Sequence, residues 1–191
     1  MRKKRWIIGI PLLLAVVLAA AVAGFISYIR PTHELSLSYE EIDWEGKLLG
    51  IVQSGETALT LSEEEINNLC KKGLAERAAE EGVSYTIEGA DFHLNGNQLS
   101  ADAIVKWGPV RGEGTAYFAL SFENGRLIMT PQSVKIRNHA FSPSLFKLKT
   151  IQIDPGQYLP ELVQITKISF GEHEMKIGFS IDWMLLPGLL K

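Results

Sequence analysis

The stretch TLSEEEINNLCKK, Thr60 to Lys72, decides the fold, because it predicts where the main helix of the chain begins. Ser62 and Glu65 have the Ser-x-x-Glu spacing of a capping box, in which each side chain bonds the backbone N–H of the other residue. Leu61 and Ile66 occupy the two positions of a hydrophobic staple. The three glutamates after Ser62 lie in the first turn, where the helix dipole stabilises negative charge. The stretch therefore predicts the start of a helix rather than a reactive site.

The predicted helix runs from about Glu63 to Glu81 and carries one apolar stripe. Apolar residues recur at helical spacing, namely at Ile66, Leu69, Cys70, Leu74 and Ala78. Gly82 is a typical residue for the C-terminal stop. Cys70 is the single cysteine, and no basic neighbour on the stripe would activate its thiol. A metal site or a nucleophilic thiol is the alternative, and the pattern favours a small buried hydrophobe instead.

After Gly82 the apolar period changes to two, which predicts antiparallel strands. Turn signals separate the runs at Asn95-Gly96, Gly108-Pro109, Asn124-Gly125 and Gly171-Glu172. Pro131 predicts an edge strand or a bulge. Residues 142–160 are predicted to form a loop with a helical turn near 144–147, and residues 31–59 fit helix or strand.

These elements predict an α+β fold: an N-terminal transmembrane helix, then a long amphipathic helix packed on a curved antiparallel β-sheet of about five or six strands. The transmembrane helix is WIIGIPLLLAVVLAAAVAGFISYI, Trp6 to Ile29, which is 24 residues without a charge. At about 1.5 Å per residue it crosses a hydrocarbon core of roughly 30 Å. The predicted domains are a basic tail at 1–5, the membrane helix at 6–29 and an extracytoplasmic domain at 30–191.

The charge distribution supports this topology. Residues 1–30 contain five of the 19 Lys and Arg and none of the 22 Asp and Glu, so they carry +5 and the rest carries −8. Four cations before the apolar run predict a cytoplasmic N-terminus and a main domain outside the cytoplasm, in a single-pass protein of the cell membrane. The acidic outer domain disfavours nucleic-acid binding, which needs clustered Lys and Arg.

A cleaved signal peptide is the competing interpretation of the N-terminus. Ala21-Val22-Ala23 is an A-x-A-like cleavage site after an apolar run of suitable length. The apolar run continues beyond it to Ile29, which favours a retained anchor. Lipoprotein processing is excluded, because no cysteine lies near the end of the run.

The order of elements carries a resemblance. A basic start and one spanning helix precede LTLSEEEINNL, the turns LNGNQL and FENGRL, a proline-broken segment that ends in LPEL, and two last strands. This order resembles the YpmS-like membrane-anchored extracytoplasmic proteins of Gram-positive bacteria, over almost the whole chain. It is similar, more loosely, to tubular lipid-binding domains, in which a curved sheet wraps a long helix. The resemblance implies a cell-envelope role with lipid handling and no enzyme activity.

Catalytic and metal-binding motifs are missing from the sequence. It contains no His-Glu-x-x-His, Cys-x-x-Cys, Walker glycine loop, Gly-x-Ser-x-Gly or EF-hand loop. His33, His93, His139 and His173 stand far apart without ligand spacing. We therefore expect no catalytic residue, no metal and no cofactor.

Two classes of function remain. The first is a module that holds a lipid or another apolar ligand in a groove between helix and sheet. Its candidate lining residues are Ile66, Leu69 and Leu74 on the helix, and Phe92, Leu94, Trp107, Phe118, Leu120, Phe122, Phe179 and Trp183 on the strands. The same residues fit a filled core. The second class is an envelope scaffold that binds a membrane-protein partner, with the loop-rich apolar segment 143–164 as the contact surface.

Overall fold

The computed structural model describes residues 3–44, 46–47, 57–80, 85–158 and 163–181. The α-helices are α1 (Lys3–Ile29) and α2 (Glu63–Glu80). The strands are β1 (Ala58–Ser62), β2 (Thr86–Asn95), β3 (Gln98–Trp107), β4 (Val110–Glu123), β5 (Arg126–Ile136), β6 (His139–Phe141), β7 (Ile151–Ile153), β8 (Val163–Phe170) and β9 (Glu174–Ile181). Short 3₁₀ turns lie at Pro143–Phe146 and Pro155–Tyr158.

The strands form two antiparallel sheets. The larger sheet has six strands in the order β2-β3-β4-β5-β6, with β7 also paired to β5. The smaller sheet has the order β1-β9-β8. The predicted α+β class and the curled antiparallel sheet of five to six strands are confirmed for the larger sheet. The prediction did not separate the last strands into a sheet of their own.

The predicted turns are confirmed, with a shift of one residue in the first and in the last. In the last, the Gly171 N–H donates to the Glu174 carbonyl, so the centre is Glu172 and His173 rather than Gly171 and Glu172. Asn95 pairs with Gln98, so the centre of the first turn is Gly96 and Asn97 rather than Asn95 and Gly96. Gly96 has a φ of 55°, a left-handed conformation that glycine adopts at little cost. The β4–β5 turn places Asn124 and Gly125 at φ 52° and 77°, as a type I′ hairpin turn requires.

The bulge predicted at Pro131 is also confirmed. The register passes from Tyr117–Ser133 to Phe118–Pro131, so Gln132 is an extra residue on β5. On the other side of β5, β6 pairs with residues 134–136 and β7 with residues 127–129. Pro131 therefore lies between these two pairings, so on this side of β5 its missing N–H interrupts neither ladder.

The segment 142–160 is more regular than predicted. The helical turn expected near 144–147 is present at Pro143–Phe146. The loop prediction was wrong for residues 151–153, which form β7, because a three-residue strand is too short to show a period of two. The ambiguous segment 31–59 contains β1 at its end.

Helix α2 begins as the capping box predicts. The Ser62 N–H donates to Glu65 Oε2 at 2.9 Å, and the Glu65 N–H donates to Ser62 Oγ at 3.3 Å. The staple residues Leu61 and Ile66 are 3% and 4% exposed in the same apolar core. The predicted stop at Gly82 lies outside the described residues. The helix packs on β2 of the larger sheet and on β1 and β9 of the smaller one.

Helix α1 leaves this core and meets the larger sheet only near its own C-terminal end, beside β4. Apolar side chains along its middle are exposed, namely Val16, Val17, Leu18, Val22 and Phe25 at 51% to 66%, whereas Ile26 and Ile29 near its end are half-buried. A search of the described residues finds no helix that is long and apolar enough to cross a membrane.

Candidate functional site

The structure gathers most of the predicted groove residues around one core. Buried members are Ile66, Phe92, Leu94, Phe118 and Leu120, and half-buried residues packed against them are Leu69, Leu74 and Phe122. The buried five are at most 8% exposed. Helix and strands thus meet through interdigitated side chains, as in an ordinary close-packed protein interior.

Three of the groove candidates do not join that core in the described structure. Trp107 is 68% exposed at the end of β3, where the chain turns into β4. Phe179 on β9 is half-buried and is not a member of the core cluster. Trp183 lies outside the described residues.

A small cleft lies beside α2, and Leu69 is the one predicted groove residue among the described residues that line it. Its volume is about 80 Å³. It is lined by Glu40, Glu41, Ile42, Trp44, Asn68, Leu69 and Lys72. Ligand pockets usually measure roughly 300–1,000 Å³, so this cleft is too small for a lipid.

The end of α1 is bonded to the turn between β5 and β6. Arg137 Nε donates to the Tyr28 carbonyl at 2.9 Å, and its Nη2 donates to the Arg30 carbonyl at 2.5 Å. The last carbonyls of a helix have no partner within the helix, and a cation there is favourable to the helix dipole. Arg137 has a φ of 56° at this turn. His139 completes the contact, with Nδ1 3.2 Å from the Tyr28 hydroxyl.

The start of β4 holds the residues that follow α1. Thr32 donates its N–H and its hydroxyl to Glu113 Oε2, at 2.6 and 2.8 Å. Burial would raise the pKa of Glu113, but the bonds from Thr32 and the charge of Arg137 outweigh it and lower that pKa. Ile29 packs where a side chain on Gly112 would stand, 3.5 Å from the site of its absent Cβ. We call Gly112, Glu113, Arg137 and His139 the α1 collar.

Residues 32–38, which we call the strap, continue from the collar along the free edge of β2. The Leu35 carbonyl lies so close to Gly89 that a Cβ there would overlap it. The Ala90 N–H points to the Ser36 carbonyl at 3.5 Å. The strap thereby covers an edge strand that would otherwise expose unpaired backbone groups.

Arg111 fastens the strap to the sheet. Its guanidinium bonds Glu34 in the strap and Glu88 on β2. These bonds and the charge of Arg111 lower the pKa of Glu34. The end of α1 and the strap are therefore bonded to the larger sheet by one continuous series of polar contacts, from the collar to the edge of β2.

Glu63 joins the two sheets at the end of the domain that lies opposite the α1 collar. Its Oε1 lies 3.1 Å from His93 Nδ1 on β2, and its Oε2 lies 2.6 Å from His173 Nδ1 in the β8–β9 turn. The Leu94 N–H also donates to Oε1. Burial opposes ionisation of Glu63, but the bonds from His173, His93 and Leu94 outweigh it and lower its pKa.

Sequence reasoning missed both the collar and the Glu63 cluster. Glu63 and His173 are 110 positions apart, and Arg137 and Tyr28 are 109 apart. No local period or motif spans such distances. No signal in the sequence singles these residues out, because the β5–β6 turn beside Arg137 is not among the predicted turns.

Cys70 is placed as predicted, on the core side of α2. Burial raises the pKa of its thiol to about 12, so the thiolate needed for nucleophilic attack or metal binding does not form near neutral pH. Across the described ranges, no group of three or more His, Cys, Asp or Glu residues is arranged to hold a metal ion.

Comparisons with known proteins return no match, whether to a protein-family model, to a curated protein or to a solved structure. The resemblance to YpmS-like proteins therefore stays a prediction.

Proposed function

We propose that this chain is a non-catalytic protein of the cell envelope, anchored by α1 in the cell membrane with its N-terminus in the cytoplasm. Its extracytoplasmic domain is held in a set orientation above the bilayer and presents a surface to a membrane-protein partner. The α1 collar carries the proposal. A flexible tether needs no such contacts, whereas here the helix end is bonded to β4 and to the β5–β6 turn.

The apolar run supports the anchor. It has 24 residues without a charge, preceded by four cations. Leu18, Val22 and Phe25 are 51% to 66% exposed, and a helix that is apolar all round needs apolar surroundings. A bilayer supplies them, and an α-helix satisfies its own backbone groups there.

An exposed apolar cluster supports the partner surface. Leu145 and Phe146 are 70% and 42% exposed in the predicted contact segment 143–164. Phe141 is 38% exposed, and its ring stands edge-on to that of Phe146 with centroids 6.3 Å apart. Grouped exposed apolar side chains mark interaction sites more often than single ones do.

A lipid held between helix and sheet is the other predicted function. The residues that would line its groove include Leu94 and Leu120, which are 1% and 5% exposed. A ligand would have to open this core, so the packing favours the scaffold. Native mass spectrometry of the full chain released from nanodiscs distinguishes the two functions. A stoichiometric lipid that survives release would favour the lipid-binding groove over the scaffold.

Membrane extraction of the full chain tests the anchor. Wild type should stay in the pellet at alkaline pH, and the double variant Leu18→Arg/Val22→Arg should be released, because charges near the bilayer centre are costly. Leu18→Ile/Val22→Ile is the matched control and should stay. An exposed reporter thiol, Lys149→Cys, should react from outside intact cells, whereas Cys70 stays silent. Wild type in the supernatant, or labelling from inside only, would refute the topology.

Two further variants separate orientation from partner binding. Arg137→Ala should speed amide exchange of residues 28–32, whereas Lys135→Ala, two residues earlier on β5, should not. Leu145→Ser/Phe146→Ser should abolish the crosslinked partner band in intact membranes, whereas Leu18→Ile should keep it. An unchanged band in the Leu145→Ser/Phe146→Ser protein would overturn the assigned surface and leave the anchor standing.

A further inference from the structure

We propose that the tip of the β3–β4 hairpin, Lys106–Val110, rests in the headgroup layer of the bilayer that α1 enters. The domain would then touch the membrane at two points, the end of α1 and this hairpin. The inference rests on the proposed anchor and adds a membrane-contact site built from the sheet.

The direction of β4 places the tip on the membrane side. Thr32, beyond the helix, bonds Glu113, and Ile29, in its last turn, packs against Gly112. Going backward along β4 therefore follows the chain back toward the apolar run. The hairpin tip lies further in the same direction, since Val110 pairs with Trp107 two residues before Gly112.

The reach of the hairpin carries its tip from the level of Ile29 back to the inner boundary of the headgroup layer. A strand rises roughly 3.3 Å per residue, so Val110 lies up to about 7 Å closer to the bilayer than Ile29. A bilayer of about 40–45 Å has a hydrocarbon core of about 30 Å, which leaves roughly 5–8 Å of headgroup layer on each side. The uncharged run that ends at Ile29 has 24 residues and is about 36 Å long at about 1.5 Å per residue, so it exceeds that core by about 6 Å. With Trp6 at the far boundary of the core, Ile29 lies about 6 Å outside the near boundary, and the hairpin tip reaches the base of the headgroup layer.

The side chains at the tip suit this layer. Trp107 is 68% exposed, and Gly108 and Pro109 are exposed beside it. Tryptophan prefers the membrane–water interface, where its apolar ring and its N–H are both satisfied. Gly108, at a φ of 58°, allows the tight turn that carries the ring to the end of the hairpin.

The cations near the tip are paired with carboxylates. The proposed membrane contact therefore depends on the Trp107 ring more than on attraction to anionic lipid. Lys106 Nζ lies 3.5 Å from Glu88, and Arg111 is held by Glu88 and Glu34. Free cations would make binding follow the negative surface potential of the membrane. We therefore expect insertion into zwitterionic phosphatidylcholine as well.

Depth-dependent quenching of Trp107 tests the inference. The full chain is reconstituted into phosphatidylcholine vesicles with brominated acyl chains, with the other tryptophans, at positions 6, 44 and 183, replaced by Phe. Emission from Trp107 should be blue-shifted and should be quenched several-fold more by bromine near the headgroup than by bromine deep in the chain. The matched control keeps only Trp44, which is 43% exposed and lies beside Asn68 on α2. Its emission should resemble that in water and stay unquenched.

The outcomes separate this inference from the anchor. Protein that floats with the vesicles but shows water-like Trp107 emission overturns the hairpin contact alone. Blue-shifted, unquenched emission assigns the ring to a protein contact and also overturns it. Protein that does not float refutes the anchor and the hairpin contact together. If the triple variant misfolds, Trp6→Phe is compared with Trp6→Phe/Trp107→Phe, because Trp6 starts the apolar run and would itself be quenched near the headgroups. The double variant should lose the component quenched near the headgroups, and its persistence would contradict the inference.

Discussion

The helix α2 and the strap cover the same sheet in opposite ways. α2 lies on β2 through apolar side chains such as Ile66, which is 4% exposed. The strap follows the edge of β2 through backbone approach at Gly89 and ion pairs of Arg111. Buried apolar area stabilises a fold by about 25 cal/mol per Å², whereas exposed ion pairs contribute about 0–1 kcal/mol. The α2 side therefore supplies stability, and the strap side sets the position of the domain relative to α1.

The largest effect should come from a core truncation on the α2 side. Leu94→Ala removes a side chain that is 1% exposed in the shared core. The lost burial and the remaining cavity should lower the free energy of unfolding by about 2–5 kcal/mol. Denaturant titration of the full chain in mild detergent measures this.

Trp107→Ala is the control, because it deletes a larger side chain that is 68% exposed. It should change the free energy of unfolding by no more than about 0.5 kcal/mol. Equal losses for the two variants would contradict the division between a stabilising core and a positioning surface.

A methyl group at Gly89 should displace the strap and lower the free energy of unfolding. Gly89→Ala places a Cβ where the Leu35 carbonyl stands, so the strap must move away from β2. We expect a loss of about 1–3 kcal/mol, as for other overpacked sites, with faster amide exchange at Ala90. Gly73→Ala is the matched control, because nothing lies within 4 Å of its new Cβ in α2. It should stabilise the helix by about 0.5–1 kcal/mol.

The two sides also differ in how far the sequence predicts them. The α2 start is local, since Ser62 and Glu65 bond across three positions and the motif lies in one quoted stretch. The hairpin turns are local for the same reason. The collar joins residues 81 to 111 positions apart, with no period to reveal it. Segment 31–59 looked ambiguous because the strap, at its start, is placed by contacts with the sheet rather than by its own pattern.

The predicted groove shows a second limit of sequence reasoning. Period and hydrophobicity correctly selected Phe92, Leu94 and Phe118 as inward-facing residues. A groove and a filled core need the same pattern, and only packing separates them. Trp107 follows the same alternation, yet it stands at the end of its strand, beyond the core.

A moderate effect should come from the cap of α2. Ser62→Ala removes the acceptor for the Glu65 N–H and should lower the free energy of unfolding by about 0.5–2 kcal/mol. Glu64→Ala, an exposed change in the same turn, should cost less, and denaturant titration compares the two. If the two losses were equal, the first turn would be stabilised by charge rather than by the capping bond.

The smallest effect should come from the hydrogen bonds of Glu63, which join the sheets through groups at the surface. Its pKa is lowered in the folded protein, so its contribution is fully present above the unfolded value of about 4.3 and is lost as pH falls through the folded value. Glu63→Gln should therefore flatten the decline in stability below about pH 4.3, while Glu64→Gln should leave that decline unchanged. Denaturant midpoints measured between about pH 7 and about pH 3 give the decline in stability with falling pH for each variant. Parallel curves for wild type and Glu63→Gln would show that His93 and His173 do not stabilise the ionised carboxylate, and that the smaller sheet is held by its apolar contacts alone.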